Sequence, residues 1–401
     1  MSHAKKRILI TTSTFSRWED DILPSFVYEL SKRLAKHLDV YVLAPHSRGA
    51  KVFEQVDGMN IFRFRYFPAR YEKLCERAIL PNLKENPLLW LQVPFFLISQ
   101  FFAIARIVNK NNIDVIHAHW VIPQGFIAAL YKLLLNHNIK IVVTGHGKDL
   151  FGLRFWPFSA LKRWTLNNID SLTVVSNALK DEAINLGIRN NLSIKVVPMG
   201  VDLSLFNPDR YNENIKKKYQ IKGPFLLFVG RLAEQKGVKY LINAMPTILD
   251  EYPDAKLLII GEGEREAYLK NLSENLGLLD RSIIFTGAIP NKELPQYYAT
   301  ADIFIGPSIS EGLGLVFVES IGSSTITMGT NLPAIADVIE DGKTGFIVEQ
   351  KNSKQIAEKV KYILSNRDNF KDMSKKARKI IIDKFDWNLI SKKYTQILER
   401  M

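Results

Sequence analysis

Short runs of β-branched and aliphatic residues alternate along this chain with longer stretches in which apolar positions recur every three or four residues. The runs fall at 7–10, 40–43, 61–64, 115–119, 141–144, 172–175 and 195–197, and a second series falls at 225–229, 256–260, 283–286, 303–305, 325–328 and 345–348. Near-continuous apolar runs of this length predict strands covered on both faces, and strand–helix alternation predicts parallel sheets with helices on either side. Two series predict two doubly wound α/β domains, and 401 residues is more than one ordinary core needs. The break is placed at 203/204, after Pro198-Met-Gly-Val-Asp202 and before the polar segment 207–214, giving one domain over 1–203 and a second from 204. Ligands of such sheets bind at the C-terminal ends of strands, so two sheets facing each other would put a cleft between them.

One segment breaks the alternation. Residues 86–106, NPLLWLQVPFFLISQFFAIAR, are the most apolar stretch and approach the roughly 20 apolar residues that cross a bilayer core. Gln92, Pro94, Ser99 and Gln100 interrupt it, and three readings stay open: a buried core helix, a helix lying in a membrane interface, or a spanning helix. Nearby, Arg63, Arg65, Arg70, Lys73, Arg77 and Lys84 face only Glu72, Glu76 and Glu85, which points to an anionic surface, although a solvated basic face accounts for the same charges.

Charge and cysteine content narrow the partners. The formal net charge is +13, which suits an acidic partner: nucleic acid, anionic lipid or a phosphorylated small molecule. Nucleic acid is disfavoured, because the chain has no long Lys/Arg block, zinc-finger spacing or aromatic-glycine RNA-recognition signature. Cys75 is the single cysteine, so no internal disulfide forms and a reducing, cytoplasmic compartment is expected. The start, MSHAKKRILITTSTF, reads as a first strand and not as a signal peptide.

The chemistry concentrates in the second series. The run 225–229 leads into Gly230-Arg231-Leu-Ala-Glu-Gln-Lys236-Gly237, where a glycine lets backbone approach a ligand and two cations follow. A diphosphate fits that edge; a solvated turn capping a helix is the plain alternative. Downstream, SISEGLGLVFVESIG spans 308–322 and carries Glu311 and Glu319 around a glycine-broken apolar run. A helix starting near 312–314 would aim its unpaired N–H groups at phosphate. Eight residues of continuous helix would set the two carboxylates about 12 Å apart, the reach of a nucleotide diphosphate sugar. Carboxylates accept hydrogen bonds from paired vicinal hydroxyls, so sugar at one and ribose at the other is a consistent arrangement.

The set GRLAEQKG, LLIIGEGE, FTGAIP, SEGLGLVFVES and VIEDGKTGFIV resembles the retaining glycosyltransferases of family 4, which have the GT-B fold of two Rossmann-like domains facing across a cleft. IHAHWVIPQG at 116–125 and VTGHGKD at 143–149 extend the resemblance into the first domain. It implies that the second domain, 204–383, binds the nucleotide sugar, that the first is the acceptor side, and that 384–401, beginning near Trp387, is a helix crossing back to the first. It further implies that Arg231 and Lys236 grip the diphosphate, with Gly230 beside them, and that Glu311 with the backbone of Gly312, Leu313, Gly314 and Leu315 holds sugar and phosphate. Glu319 would take the ribose, Ala288 and Ile289 would border the base, and His146 would reach the donor sugar, so that His146, Glu311, Arg231 and Lys236 form the catalytic set. His119 and Asp20 are candidates on the acceptor side.

The implied activity is hexosyl transfer with retention, metal-independent and without a cofactor beyond the nucleotide diphosphate sugar, onto a glycan or lipid-linked acceptor in polysaccharide or glycolipid synthesis. An enzyme of this kind would be cytoplasmic, or peripheral on the inner face of the membrane. A nucleotide-sugar epimerase on the same fold and a non-catalytic sugar-nucleotide binder are the alternatives. His117 and His119 share a strand face and could pair on a metal, but the chain has no Asp-x-Asp motif and no evident third ligand. The chain departs from the family pattern at Thr11–Ser16, where relatives carry a glycine pair, at Ser324-Thr-Ile-Thr327, and at Pro333, Ala334 and Asp337.

Overall fold

The computed structural model describes residues 5–18, 21, 26–76 and 79–401. The chain divides into two compact units, 1–199 with 388–401, and 200–387.

In the first unit the strands are β1 (Arg7–Thr11), β2 (Asp39–Pro45), β3 (Phe53–Val56), β4 (Met59–Phe64), β5 (Val115–His119), β6 (Lys140–Gly145), β7 (Ser171–Val174) and β8 (Ser193–Val196). They form a sheet in the order β3-β4-β2-β1-β5-β6-β7-β8, parallel throughout except where β3 runs antiparallel to β4. The central strands are buried along nearly their whole length, which is why they read as unbroken apolar runs. β3 gave no such signal: it is an edge strand with mostly exposed side chains. The marker that could have found it is Asp57-Gly58, both at positive φ (51° and 78°), the two-residue turn that closes a tight hairpin.

The apolar segment forms a short turn, Pro87–Leu91, and then a helix, Gln92–Asn111. Gln92, Phe96, Gln100, Ile104, Ile107 and Val108 are its buried side, set against β1, β2, β4 and the helix Phe126–Leu134. Only 28% of its most apolar stretch is buried, and Leu88, Leu91, Phe95, Ile98 and Phe102 are exposed. Arg63, expected in the basic face, is instead buried and ion-paired to Glu54 at 2.6 Å, because alternation along β4 turns it inward. Arg77 lies outside the described residues.

The second unit holds β9 (Phe225–Val229), β10 (Lys256–Ile260), β11 (Ile283–Gly287), β12 (Ile303–Gly306), β13 (Ile326–Thr330) and β14 (Phe346–Val348), all parallel, in the order β11-β10-β9-β12-β13-β14. Its core lies between this sheet and two amphipathic helices, Val238–Leu249 and Ser353–Ser365, which bring Leu241, Met245, Ile248, Ile356 and Val360 onto the sheet. The second of these is capped by the Asn352 side chain, which accepts from the Gln355 N–H at 3.0 Å.

The unit boundaries fall at 199/200 and 387/388 and not at 203 and 383. Residues 200–203 are held by the end of the second unit: Gly200 lies flat against Trp387, and Val201 bridges to Asp386. The helix Trp387–Glu399 then continues into the first unit, where the Tyr394 hydroxyl donates to the Val197 carbonyl at 3.1 Å and Lys6 Nζ to the Glu399 carbonyl at 2.9 Å.

Candidate functional site

Each sheet has one place where neighbouring strands send their connections to opposite faces: β9/β12 in the second unit and β1/β5 in the first. Crevices at such points are the ligand sites of doubly wound sheets.

At the end of β9 the backbone opens at Gly230 and continues through Arg231 to a single turn at Glu234–Lys236. At the end of β12 the loop 307–314 lies alongside it, joined by Ile309 N–H donating to the Gln235 carbonyl at 2.7 Å. Gly237, at φ +64°, permits this contact, since a Cβ there would sit 2.0 Å from the Pro307 carbonyl oxygen. Across the seam Lys236 Nζ meets Glu311 at 2.7 Å, and the Ser308 hydroxyl donates to the same carboxylate oxygen at 3.2 Å. Both side chains of the ion pair are largely shielded from solvent, which strengthens it relative to a surface pair. Arg231 pairs with Glu264 at 3.0 Å in a more open setting.

The helix Leu315–Gly322 begins after Gly314, whose φ of +75° turns the chain into it. It starts at 315, so the helical rise does not run the whole way from Glu311 to Glu319 and the 12 Å spacing expected of a continuous helix does not apply. Phe317 anchors the helix beneath Gly306, Gly314 and Gly329, which explains an apolar residue between two carboxylates. Glu319 accepts from the Tyr298 hydroxyl at 3.0 Å, and burial pushes its carboxyl up to about 7 against that hydrogen bond. Ala288 N–H donates to Glu262 at 3.4 Å and Ala288 is exposed, with Ile289 half-buried beside it.

In the first unit, β5 ends in His117 and His119, both fully buried with rings 4.4 Å apart. His117 Nε2 pairs with the Thr144 hydroxyl at 2.8 Å, and His119 Nδ1 with His146 Nε2 at 2.9 Å. His146 is stacked on His119 and flanked by Phe26 and Trp120 at ring distances of 5.0 and 4.9 Å. Burial lowers the His117 and His146 pKa values to about 3 and that of His119 well below the usual range, so all three imidazoles are neutral at pH 7. His119 is fully buried and pairs with His146, and it presents no surface to solvent. Asp20 lies outside the described residues.

Asp149, the last residue of the VTGHGKD motif, has a structural role. Its carboxylate accepts the N–H groups of His146 at 3.1 Å, Gly147 at 2.9 Å and Val121 at 2.9 Å, so it fixes the loop that carries His146 and the turn after β5 together. The signal was an aspartate three residues after a histidine in a glycine-rich turn, the spacing of a side chain that caps its own loop.

Two α/β parallel-sheet units of this kind make up the GT-B fold. Residues 24–205 match the family model described as Glycosyltransferase Family 4 and residues 211–380 that described as Glycosyl transferases group 1. The chain belongs to this family of glycosyltransferases. Among curated proteins it is 27% identical to an N-acetyl-alpha-D-glucosaminyl L-malate synthase of Bacillus anthracis, over 82% of this chain and 86% of that one. It is 25% identical to a GDP-mannose-dependent alpha-(1-6)-phosphatidylinositol monomannoside mannosyltransferase of Mycobacterium tuberculosis, over 98% of each. Among solved structures it resembles sucrose-phosphate synthase of Thermosynechococcus elongatus, with a TM-score of 0.80, 18% identity and 99% of each chain covered. It also resembles Anabaena HepE in complex with UDP, with a TM-score of 0.76, 16% identity, and 98% of this chain and 100% of that one covered. The activity class is therefore glycosyl transfer.

Proposed function

We propose that the protein moves a sugar from a nucleotide diphosphate sugar to an acceptor hydroxyl with retention at the anomeric carbon. The observation that carries this reading is the Lys236–Glu311 pair, held at the β9/β12 switch point next to Gly314 and the Leu315–Gly322 helix. A diphosphate entering there takes over Lys236 and Arg231 as counter-charges, and Glu311 turns from an ion-pair partner into an acceptor for sugar hydroxyls. Glu319, shielded and bonded to Tyr298, suits the ribose hydroxyls, and His146, neutral, suits a sugar hydroxyl as donor or acceptor. HepE structures with UDP and with UDP-glucose, of the same fold, support a donor of this class.

In the step itself the bond from the anomeric carbon to the diphosphate breaks and the acceptor oxygen bonds to the same face. The acceptor proton passes to the leaving phosphate oxygen, while Arg231 and Lys236 stabilise the charge that develops there. The cations take the role that a divalent ion fills elsewhere, so turnover is proposed to need none. The test is to incubate the protein with a panel of nucleotide diphosphate sugars and acceptors, with and without chelator, and to read the product by NMR. Nucleotide diphosphate plus an anomer matching the donor is expected. An inverted anomer, an epimerised donor, or activity lost to chelator and restored by magnesium or manganese would each overturn the corresponding part.

A further inference from the structure

The helix that interrupts the strand pattern carries two apolar faces, and only one is used by the fold. Leu88, Leu91, Phe95, Ile98 and Phe102 recur at intervals of three and four residues and are between 53% and 73% exposed. At 100° per residue Phe95, Ile98 and Phe102 lie on one side of the helix, the buried Gln92, Phe96, Gln100 and Ile104 lie nearly opposite, and Leu88 and Leu91 sit in the turn that leads into it. The buried side holds Phe96, Ile104, Ile107 and Val108 along with two glutamines, and the outward side holds leucines and phenylalanines as well. Exposed large apolar side chains scattered singly need no explanation, but five recurring along one helix and the turn before it form a stripe.

The rim of this stripe is basic. Phe67 packs its ring 5.7 Å from Phe95, and Gln92 Nε2 donates to the Tyr71 carbonyl at 2.7 Å, so the loop carrying Arg65, Arg70 and Lys73 is fastened beside it. Arg65, Arg70, Lys73 and Lys84 are exposed there, and Arg106 and Lys110 continue the helix beyond Phe102. Exposed Glu76 and Glu85 are outnumbered. Trp90 and Tyr71, each about half exposed, have the apolar body and polar tip that settle at a lipid–water boundary.

We propose that this face lies in the headgroup layer of an anionic bilayer, with the helix axis parallel to the membrane. A spanning helix is incompatible with the same fold, because its opposite side is packed on β1, β2 and β4 and would have to leave the sheet. A second copy of the chain would bring one basic rim against another. An anionic lipid surface instead matches both components at once, apolar contact beneath and positive charge around it. The inference goes beyond the transfer chemistry and stands without it.

Co-sedimentation of the full chain with phosphatidylglycerol–phosphatidylcholine vesicles and with phosphatidylcholine alone tests the proposal. Binding to the mixed vesicles at about 50 mM salt is expected, weakened at least tenfold at about 0.5 M as charge is screened. The triple variant Leu91→Ser, Ile98→Ser, Phe102→Ser should lose roughly 100-fold or more in partitioning while its melting temperature holds, since these side chains bury little in the fold. Arg70→Ala with Lys73→Ala, both exposed in the native protein, should lose about 25-fold, at about fivefold for each basic residue. The proposal falls if the wild type ignores mixed vesicles or binds neutral ones equally, or if these variants bind as the wild type does. It also falls if the protein resists a high-salt, alkaline wash as a spanning segment would, or if the stripe variant only dissociates a dimer.

Discussion

The two strand-end sites are built on opposite electrostatics. At β9/β12 the side chains are charged and already paired, Lys236 with Glu311 and Arg231 with Glu264. At β1/β5 they are imidazoles that burial keeps neutral, with Asp149 satisfied by three backbone N–H groups. A charged ligand can take over the cation of such a pair, provided that hydrogen-bond donors replace it at the carboxylate left behind. Neutral rings held by hydrogen bonds cannot gain that way; what they offer is fixed direction toward an uncharged group. In the proposed reading, one site takes the charged part of a donor and the other its sugar hydroxyls.

The sharpest way to break this contrast is to remove charge at the first site. Lys236→Ala should lower turnover by about 10²-fold or more, by analogy with losing one preorganised group opposed to developing charge. His146→Asn, which retains a neutral hydrogen-bonding group, should lose about 10-fold. Steady-state kinetics that ranked the two variants the other way would erase the distinction between the sites.

A second test concerns the backbone that brings the charges together. Gly237→Ala would place a Cβ 2.0 Å from the Pro307 carbonyl oxygen at a positive φ, so the two loops must separate. A loss of about 2 kcal/mol or more in denaturant unfolding is expected, together with a fall in activity, since the Lys236–Glu311 seam opens. Wild-type stability in this variant would mean that the seam is not what holds the pair.

How much of this was legible beforehand follows from where the signals are local. β5 and β9 could be read to the residue because unbroken apolar runs mark strands buried on both faces. β3 has no apolar period to read, since it is an exposed edge strand, and only the Asp57-Gly58 turn marks it. Arg231, Lys236, Glu311 and Glu319 were visible as a motif, but their pairing was not, because a residue at 236 and one at 311 meet only through the order of strands. The same holds for His119: position two before a turn placed it on the right strand, and only burial showed that it faces His146 and not solvent. Boundaries failed at 200–203 because the contact of Gly200 with Trp387 is made across nearly the full length of the second unit.

The two sites should also answer oppositely to pH. His117 is depressed from 6.5 to about 3, so between those values the unfolded chain binds more protons than the folded one. Its contribution is fully retained above pH 6.5 and lost as pH falls toward 3, by up to about 1.4 kcal/mol per pH unit. Glu319 is raised from 4.5 to about 7, so its contribution is fully present below pH 4.5 and lost as pH rises through 7. Melting temperatures across pH 4 to 8.5 should show His117→Asn with a flatter acid limb and Glu319→Gln with a flatter alkaline limb. Identical profiles for wild type and both variants would show that neither group titrates as its surroundings indicate.

The smallest expected effect isolates one hydroxyl. Tyr298→Phe removes the donor 3.0 Å from Glu319, the one interaction that opposes burial in setting that carboxyl, so the group holds its proton to higher pH. Tyr298 is fully buried, and the ring it leaves behind keeps its contacts with Phe206 and Phe304, so the fold should tolerate the change. In the proposed reading the ionised carboxylate accepts from ribose hydroxyls. Affinity for a nucleoside diphosphate, measured by calorimetry, should then fall two- to fivefold near pH 7 and recover by about pH 8.5. Inorganic pyrophosphate, which has no ribose, should bind variant and wild type alike. A loss shared by both ligands would move Glu319 from the ribose to the phosphates, and no loss for either would remove it from the donor site.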